Sequence, residues 1–209
     1  MRGAARRPTF SRAELESYRD ATVPDLVGPG VRLLFVGINP GLWTAATQTH
    51  FAHPTNRFYP ALRRAGITSH EICREAGFTS EDRRYLIERG LGITNLVDRA
   101  TARASELSAA ELRSGAAVLA EKVRSWGPRL VAVVGITAYR TAFGRPRARS
   151  GRQPELLEGA ALWVVPNPSG LNAHETVGSL ADWYGKVAKA AGVLPENGRH
   201  SEVAVGPLR

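Results

Sequence analysis

Cysteine and long apolar runs are what this sequence most clearly lacks. Cys73 is the single cysteine among 209 residues, which excludes a disulfide framework and any site built on several thiolates, such as a four-cysteine iron–sulfur cluster. No apolar run approaches the length of a membrane-spanning helix. Residues 1–8 are basic but lack the apolar segment of a secretory signal. We therefore expect a cytoplasmic protein without a membrane partner.

Patterns that hold metals or nucleotides are also scarce. His50 and His53 lie three residues apart, but no acidic or thiol residue lies near them in the sequence. We interpret them as loop residues and predict no metal site and no other cofactor. Neither a Gly-x-Gly-x-x-Gly fingerprint nor a Walker loop follows the first predicted strand, which disfavours a nucleotide-binding enzyme.

Acidic residues are outnumbered by basic ones. The chain has 28 Lys and Arg against 19 Asp and Glu, which gives a formal charge of +9 and a pI near 10.5. Such an excess favours a polyanionic partner, because loop arginines bind phosphates well. The alternative is a solvated basic surface in a chain from an arginine-rich proteome. Arginines in or near predicted loops are Arg57, Arg99, Arg103, Arg145, Arg147, Arg149 and Arg152.

The most informative stretch lies near the start of the chain. Four apolar residues at 33–36 indicate a buried parallel strand, which runs directly into the turn Gly37-Ile38-Asn39-Pro40-Gly41. The turn puts Asn39 at the carboxyl end of the strand, where ligands sit in open α/β sheets. Pro40 restricts its own φ and biases Asn39 toward an extended conformation, so we expect a rigid loop. The alternative is that Asn-Pro-Gly is an ordinary turn.

Strand and helix patterns alternate along the chain. Further strands are predicted at residues 92–97, 130–134 and 161–165. Alternation with helices favours a parallel sheet covered on both faces. We predict an α/β fold with three layers, α/β/α, around a central, mostly parallel, four-stranded sheet. Helices are predicted from residue 11 toward 18, from 68 to 71, and over 56–64, 80–90, 108–126, 137–143 and 178–191.

A single domain is expected over residues 11–194. A basic flexible tail at residues 1–10 and a C-terminal tail at residues 195–209 flank it. Residues 42–58 lack clear periodicity and mix aromatic, histidine and small polar side chains, which is typical of a pocket wall. Residues 144–154 are predicted to form an arginine-rich loop.

Rigid polar turns follow both the first and the last predicted strand. The second turn is Asn167-Pro168-Ser169-Gly170. Because the carboxyl ends of parallel strands face the same side, we predict a shared cleft there. Its predicted lining consists of Asn39, Phe51, Asp98 and Asn167.

Four segments together carry a resemblance to a known family. They are Gly37-Ile38-Asn39-Pro40-Gly41-Leu42, Phe51-Ala52-His53-Pro54 with Asn56-Arg57-Phe58, Leu96-Val97-Asp98-Arg99, and Asn167-Pro168-Ser169-Gly170-Leu171. In this order they resemble the mismatch-specific uracil/thymine-DNA glycosylases of the uracil-DNA glycosylase superfamily. Each segment alone is a weak signal, whereas four in family order are specific.

The resemblance implies a fold like that of uracil-DNA glycosylase and an enzyme of base excision repair. Such an enzyme flips uracil out of duplex DNA, preferably from a G·U mismatch, and hydrolyses the N-glycosidic bond to leave an abasic site. Thymine and other damaged pyrimidines are further candidate substrates. The implied partner is double-stranded DNA. The resemblance also implies a monomer without a metal cluster or cofactor, located with the nucleoid in the cytoplasm.

Catalytic roles follow from the same resemblance. The carboxamide of Asn39 is expected to hold the attacking water, since an amide has no useful pKa near neutrality and is no true base. Asp98 is expected to support it, by activating the water or by stabilising the cationic sugar. The alternative for Asp98 is a salt bridge with Arg99 or a helix cap.

Substrate and DNA contacts are implied as well. Phe51 is expected to stack on the flipped base, and main-chain groups near Ile38 and Phe51 to read its edge. The side chain of Thr44 would meet the 5-position of the pyrimidine, and Asn167 would complete the pocket. The alternative for Phe51 is a core phenylalanine. The expected DNA-binding residues are Ser169, Gly170, Leu171, Asn172 and His174, with Leu171 as a wedge or, alternatively, merely packing its turn.

The sequence departs from the family pattern in two places. After Leu171 the family often has a small polar residue and an arginine, whereas this chain has Asn172-Ala173-His174. Residues 73–78 look like an insertion. Two functional alternatives remain open: a glycosylase of another branch, acting on hypoxanthine or on uracil in single strands, and a weakly active module that binds lesions.

Overall fold

The fold is built on a five-stranded, mostly parallel sheet. The structure, a computed structural model, describes residues 8–195, so most of the two predicted tails lies outside the described residues. The strand order is β2-β1-β3-β5-β4, in which the first four strands are parallel and β4 is antiparallel to β5. The strands are β1 (Leu33–Gly37), β2 (Leu91–Asn95), β3 (Leu130–Val134), β4 (Gly151–Leu157) and β5 (Ala160–Val165).

The α/β class is confirmed, but the predicted count of four strands is wrong. The additional strand, β4, begins within the predicted arginine-rich loop and lies at the sheet edge, where a bulge interrupts its pairing with β5 between Arg152 and Leu156. Gln153 is its single buried residue, so no apolar alternation marks this strand in the sequence. Pro154 is tolerated because an edge strand with a bulge leaves backbone N–H groups unpaired.

Seven α-helices and one short 3-10 helix (Ala104–Glu106) lie within the described part of the chain. Helix α2 lies within the segment predicted as an irregular pocket wall, and the helix predicted from residue 68 to 71 is not formed. Four of the helices begin with reciprocal capping boxes, which is why their starts are readable from sequence. The helices are α1 (Arg12–Glu16), α2 (Leu42–Thr47), α3 (Phe58–Arg64), α4 (Ser80–Glu88), α5 (Ala109–Trp126), α6 (Ile136–Ala142) and α7 (Val177–Ala190).

Alternate residues of the buried strands feed two separate cores. In β1, Leu33 and Phe35 pack into a cluster that includes residues of α3 and α7, whereas Leu34 and Val36 pack into one that includes residues of α5 and α6. Side chains alternate between the faces of a sheet, so both faces are covered and the strands are apolar throughout. Within residues 8–195, none of the helices is long and apolar enough to cross a bilayer.

The carboxyl ends of the four parallel strands meet at one edge of the sheet. Backbone hydrogen bonds continue past the strands there, since Leu96 N–H donates to the Gly37 carbonyl at 2.9 Å and Val97 N–H to the Ile38 carbonyl at 3.0 Å. Gly135 N–H donates to the Val165 carbonyl at 2.9 Å. These bonds fix the loops that carry the polar turns.

Candidate active site

A cavity of about 300 Å³ opens at this carboxyl edge. Its volume is at the lower end of the range for small-molecule sites, which suits a single nucleobase better than a larger ligand. The strands contribute their last residues, and the two polar turns and the segment after α2 complete the walls. The lining includes Gly37, Ile38, Asn39, Thr44, His50, Phe51, His53, Thr55, Asn56, Asn95, Thr101, Val134, Asn167, Ser169, Gly170 and Leu171.

The carboxamide of Asn39 is held in one orientation. The two N–H groups of its Nδ2 are shared among three acceptors, the carbonyl oxygens of Pro40 and Arg99, at 3.1 and 3.0 Å, and Oγ1 of Thr101 at 2.8 Å. Thr101 Oγ1 donates its own proton to the Arg103 carbonyl at 2.8 Å, so it must accept from Asn39. The amide nitrogen is therefore committed to the loop. The Oδ1 atom, which has no hydrogen bond to a described residue, is left as an acceptor for a ligand.

Phe51 lies between the core and the cavity. Its ring stacks on Phe58, with 4.2 Å between ring centroids and 26° between planes, and the half-buried side chain also lines the cavity. Its backbone φ is +55°, in the left-handed region that bulky residues rarely adopt. Such strain persists only where the surrounding structure fixes it. The ring thus both packs against the core and lines the cavity, so the two interpretations of this residue are compatible.

His50 and Asn95 form a buried hydrogen-bonded pair in the cavity wall. His50 Nε2 lies 3.0 Å from the Pro24 carbonyl, which can only accept, so Nε2 carries the proton. His50 Nδ1 then accepts from Asn95 Nδ2 at 3.3 Å. Burial lowers the pKa of His50, so the ring is neutral near pH 7. This pairing turns the Asn95 oxygen toward Gly37, where an added Cβ would come within 2.4 Å of it.

The turn after β5 presents Leu171 to solvent. Asn167 Oδ1 accepts from Ser169 N–H at 2.9 Å, and Asn172 Nδ2 donates to the Asn167 carbonyl at 3.0 Å, so the two amides close the turn. Leu171 is 90% exposed and stands at the mouth of the cavity. An apolar side chain so exposed does not pack its turn, which removes that alternative. We name residues 168–175 the rim loop; His174 lies exposed on it, outside the cavity lining.

Asp98 does not reach the cavity. Its carboxylate lies 3.3 Å from Lys122 Nζ, and its side chain is half exposed. The structure thus leaves it out of the predicted cleft, while Asn39, Phe51 and Asn167 come together there. The partner of Asp98 is also not Arg99, which instead pairs with Asp20 and Glu111 at 3.0 and 2.6 Å. A position at the end of a predicted strand was therefore not enough to tell a site residue from a surface residue in an ion pair.

Six of the seven loop arginines fall into two groups. Arg57, Arg99 and Arg145 are engaged within the protein, the last by Glu155 at 2.8 Å. Arg147, Arg149 and Arg152 are exposed and have no ion-pair partner among residues 8–195. We expected the loop arginines to bind phosphates, and for the three residues of the first group this expectation is wrong. Arg103 is exposed in the loop after β2.

Several cavity residues were missed by the sequence analysis. Asn95 ends β2, so the same rule that selected Asn39 would have found it. Thr101 gave no local signal, because its role depends on a contact across the fold. His50 was interpreted as a loop residue, and it does lie in the turn after α2, but its burial at 2% exposed and its place in the cavity wall were missed. No group of three or more His, Cys, Asp or Glu side chains among the described residues is placed to hold a metal ion.

Comparison with known proteins agrees with this architecture. The family model of the uracil DNA glycosylase superfamily matches residues 24–188. Among solved structures, the chain is similar to a candidate uracil DNA glycosylase from Methanosarcina acetivorans, determined by solution NMR. The two share 16% identity with a TM-score of 0.54, over 82% of this chain and 96% of that one. At this identity the likeness concerns the fold alone.

Proposed function

Because the chain belongs to the uracil DNA glycosylase superfamily, whose members are DNA glycosylases, we propose that it excises uracil from double-stranded DNA. It would act as a monofunctional hydrolase, preferring a G·U mismatch and leaving an abasic site. The observation that carries this proposal is the fixed orientation of Asn39, which leaves Oδ1 without a hydrogen bond from residues 8–195 and beside a cavity of nucleobase size.

The chemistry suits a carboxamide better than a general base. Asn39 Oδ1 accepts a hydrogen bond from a water molecule and aims it at the anomeric carbon, but it takes no proton at neutral pH. Bond cleavage therefore runs ahead of water attack, through an oxocarbenium-like sugar and a departing uracil anion. Fixed polar groups in the cavity stabilise that anion, which confines the enzyme to bases that leave well.

Base flipping explains the proposed mismatch preference. Extrusion of a nucleotide from the stack costs a few kcal/mol and least for a mispaired base. Phe51 would stack on the extruded base, a contact worth about 1–3 kcal/mol, and Leu171 would fill the vacated position. Ile38 and Asn167 would contact the base from the strand ends. Thr44, which is 6% exposed, would meet the pyrimidine 5-position, and its branched side chain disfavours thymine.

DNA backbone contacts are assigned to Arg147, Arg149 and Arg152, which are exposed and form no ion pair with the part of the chain that the structure describes. The loop that carries them is braced from inside, because Gln153 Nε2 donates to the carbonyls of Arg149 and Gly151, each at 2.9 Å. Since Gly151 pairs with Val164 near the end of β5, these arginines lie at the same edge of the sheet as the rim loop. A rigid loop with outward guanidinium groups suits phosphate binding.

Excision from defined duplexes tests the proposal. The protein is incubated with duplexes that carry G·U, A·U, G·T or G·hypoxanthine pairs and with single-stranded uracil DNA, and abasic products are cleaved with alkali. We expect the highest rate on G·U, and Asn39→Ala should abolish excision while duplex affinity remains. Asp98→Asn is the matched control and should retain activity.

The outcomes separate the alternatives. A higher rate on hypoxanthine or on single strands would assign the chain to another branch of the superfamily. Absence of product from every substrate would leave only lesion binding. Equal loss of affinity and excision in Asn39→Ala would make Asn39 structural.

A further inference from the structure

One half-buried side chain, that of Arg57, holds most of the rim loop in place. The guanidinium of Arg57 donates to the carbonyl oxygens of Ser169, Asn172 and Glu175, the second at 2.7 Å. The Arg57 backbone N–H donates to the Pro168 carbonyl at 3.0 Å. Four carbonyls spread over the rim loop thus converge on a single residue. Three of its five guanidinium N–H groups are used by the rim loop, and Nε is buried, so the side chain faces the rim loop and not the surrounding solvent.

Arg57 also directly follows a segment of the cavity wall in the sequence. Residues 53–56, which we name the wall segment, precede it directly, and His53, Thr55 and Asn56 line the cavity. Arg74 also holds the wall segment, because its Nη2 donates to the carbonyls of Pro54 and Asn56 at 3.1 and 3.2 Å. Arg74 belongs to the apparent insertion at residues 73–78, so this segment braces the wall.

The rim loop is also packed tightly against the wall segment. A Cβ added at Gly170 would lie 2.4 Å from Thr55 Oγ1 and 3.0 Å from the Thr55 carbonyl oxygen. A Cβ atom does not approach another heavy atom more closely than about 3 Å, so only glycine lets the rim loop lie this near to Thr55. The position of Leu171 is consequently set by the cavity wall rather than by its own turn alone.

We propose that Arg57 is a positioning residue that couples two events: insertion of Leu171 into the DNA duplex and binding of the extruded base in the cavity. The inference rests on the proposed function. By tying the rim loop to the wall segment, Arg57 makes the wedge and the pocket one rigid unit, so that the binding energy of the base also holds the wedge inserted. Arginine suits this role because the two terminal nitrogens of its rigid guanidinium reach carbonyls that lie apart, whereas a lysine offers a single nitrogen on a flexible chain.

The proposal makes a selective kinetic prediction. Loosening of the rim loop should slow extrusion of a stacked uracil without slowing cleavage of a uracil that is already unstacked. Single-turnover excision is therefore compared between a G·U duplex and the same strand with its uracil in an unpaired bubble. Arg57→Lys should lower the duplex rate about tenfold or more, which corresponds to about 1.4 kcal/mol, and leave the bubble rate within about twofold.

Further variants distinguish coupling from general damage. Leu171→Ala should show the same selective loss, and the double variant should be no slower than Leu171→Ala alone, because both changes remove one function. Gly170→Ala should push the rim loop off Thr55 and reproduce the effect with Arg57 intact. Arg63→Lys, at an exposed arginine of α3, is the matched control and should leave both rates unchanged.

Each result bears on one proposal. Equal loss on duplex and bubble, or additive effects of Arg57→Lys and Leu171→Ala, would overturn the coupling role of Arg57. An unchanged duplex rate in Arg57→Lys would overturn it as well. A wild-type protein that excises uracil from neither substrate would instead refute the proposed function, so the two failures are separate.

Discussion

Two glycines in helix interiors should respond to the same substitution with opposite signs. Replacement of an interior helical glycine by alanine normally stabilises a protein by about 1 kcal/mol. At Gly185 in α7 an added Cβ meets nothing within 4 Å, so the full gain is expected. At Gly115 in α5 the Cβ would lie 2.1 Å from the Leu96 carbonyl oxygen and 2.8 Å from its carbon.

The steric clash that an added Cβ would create at Gly115 outweighs the gain in helix propensity. Overpacking costs about 1–3 kcal/mol, and the upper value applies because the obstacle is backbone rather than a movable side chain. Subtraction of the propensity gain leaves Gly115→Ala destabilised by about 2 kcal/mol. For a domain of this size, that corresponds to a Tm about 4–8 °C lower, against a Tm about 2–4 °C higher for Gly185→Ala.

Calorimetry and excision assays check both consequences. Leu96 N–H bonds the Gly37 carbonyl at the cavity floor, so displacement of α5 should also reduce excision by Gly115→Ala and not by Gly185→Ala. If both variants melt at a higher temperature than the wild type, the close approach of α5 to Leu96 is not limiting and the reasoning fails.

Three further changes test individual side chains. Asp98→Asn should change excision by less than about twofold, since Asp98 bonds Lys122 outside the cavity, and a loss of about a hundredfold would restore a catalytic role. His50→Gln should flatten the pH dependence of the free energy of unfolding. Burial lowers the pKa of His50, so below about pH 6.5 the unfolded state binds more protons than the folded state. The wild type therefore loses stability as the pH falls through that range, and the variant should lose less. Urea unfolding at neutral and mildly acidic pH measures this, and an unchanged slope would show that His50 does not titrate on unfolding. Simultaneous replacement of Arg147, Arg149 and Arg152 by alanine should reduce the slope of log affinity against log salt by about 3, whereas an unaltered slope would remove this loop from the DNA interface.

The sequence predicted the parts of the fold that local patterns encode. Buried parallel strands are apolar throughout, and β3 was predicted with its observed bounds. Capping boxes located the starts of α1 and α5 within one residue because they are reciprocal bonds between residues three apart. Strand β4 was missed because an edge strand with one buried polar residue has no apolar pattern.

The site was predictable only where strand ends defined it. Asn39 and Asn167 follow strands and meet at the cavity, as the geometry of a parallel sheet requires. Arg57 was expected to face phosphates, since its charge is visible in the sequence and its carbonyl partners, more than 100 residues away, are not. The prediction that Asp98 lines the cleft was wrong for the same reason. Its ion-pair partner, Lys122 on α5, comes near it only in the folded chain.

The hydrogen bonds around Asn39 also limit how the enzyme could evolve. An aspartate at this position would aim a carboxylate oxygen at the Pro40 and Arg99 carbonyls, which can only accept, and at a threonine whose proton already serves Arg103. Repulsion from these oxygens would favour the protonated acid, which is useless as a base. Exchange of Asn39 for aspartate alone would therefore not supply a general base, and the surrounding loop would have to change with it.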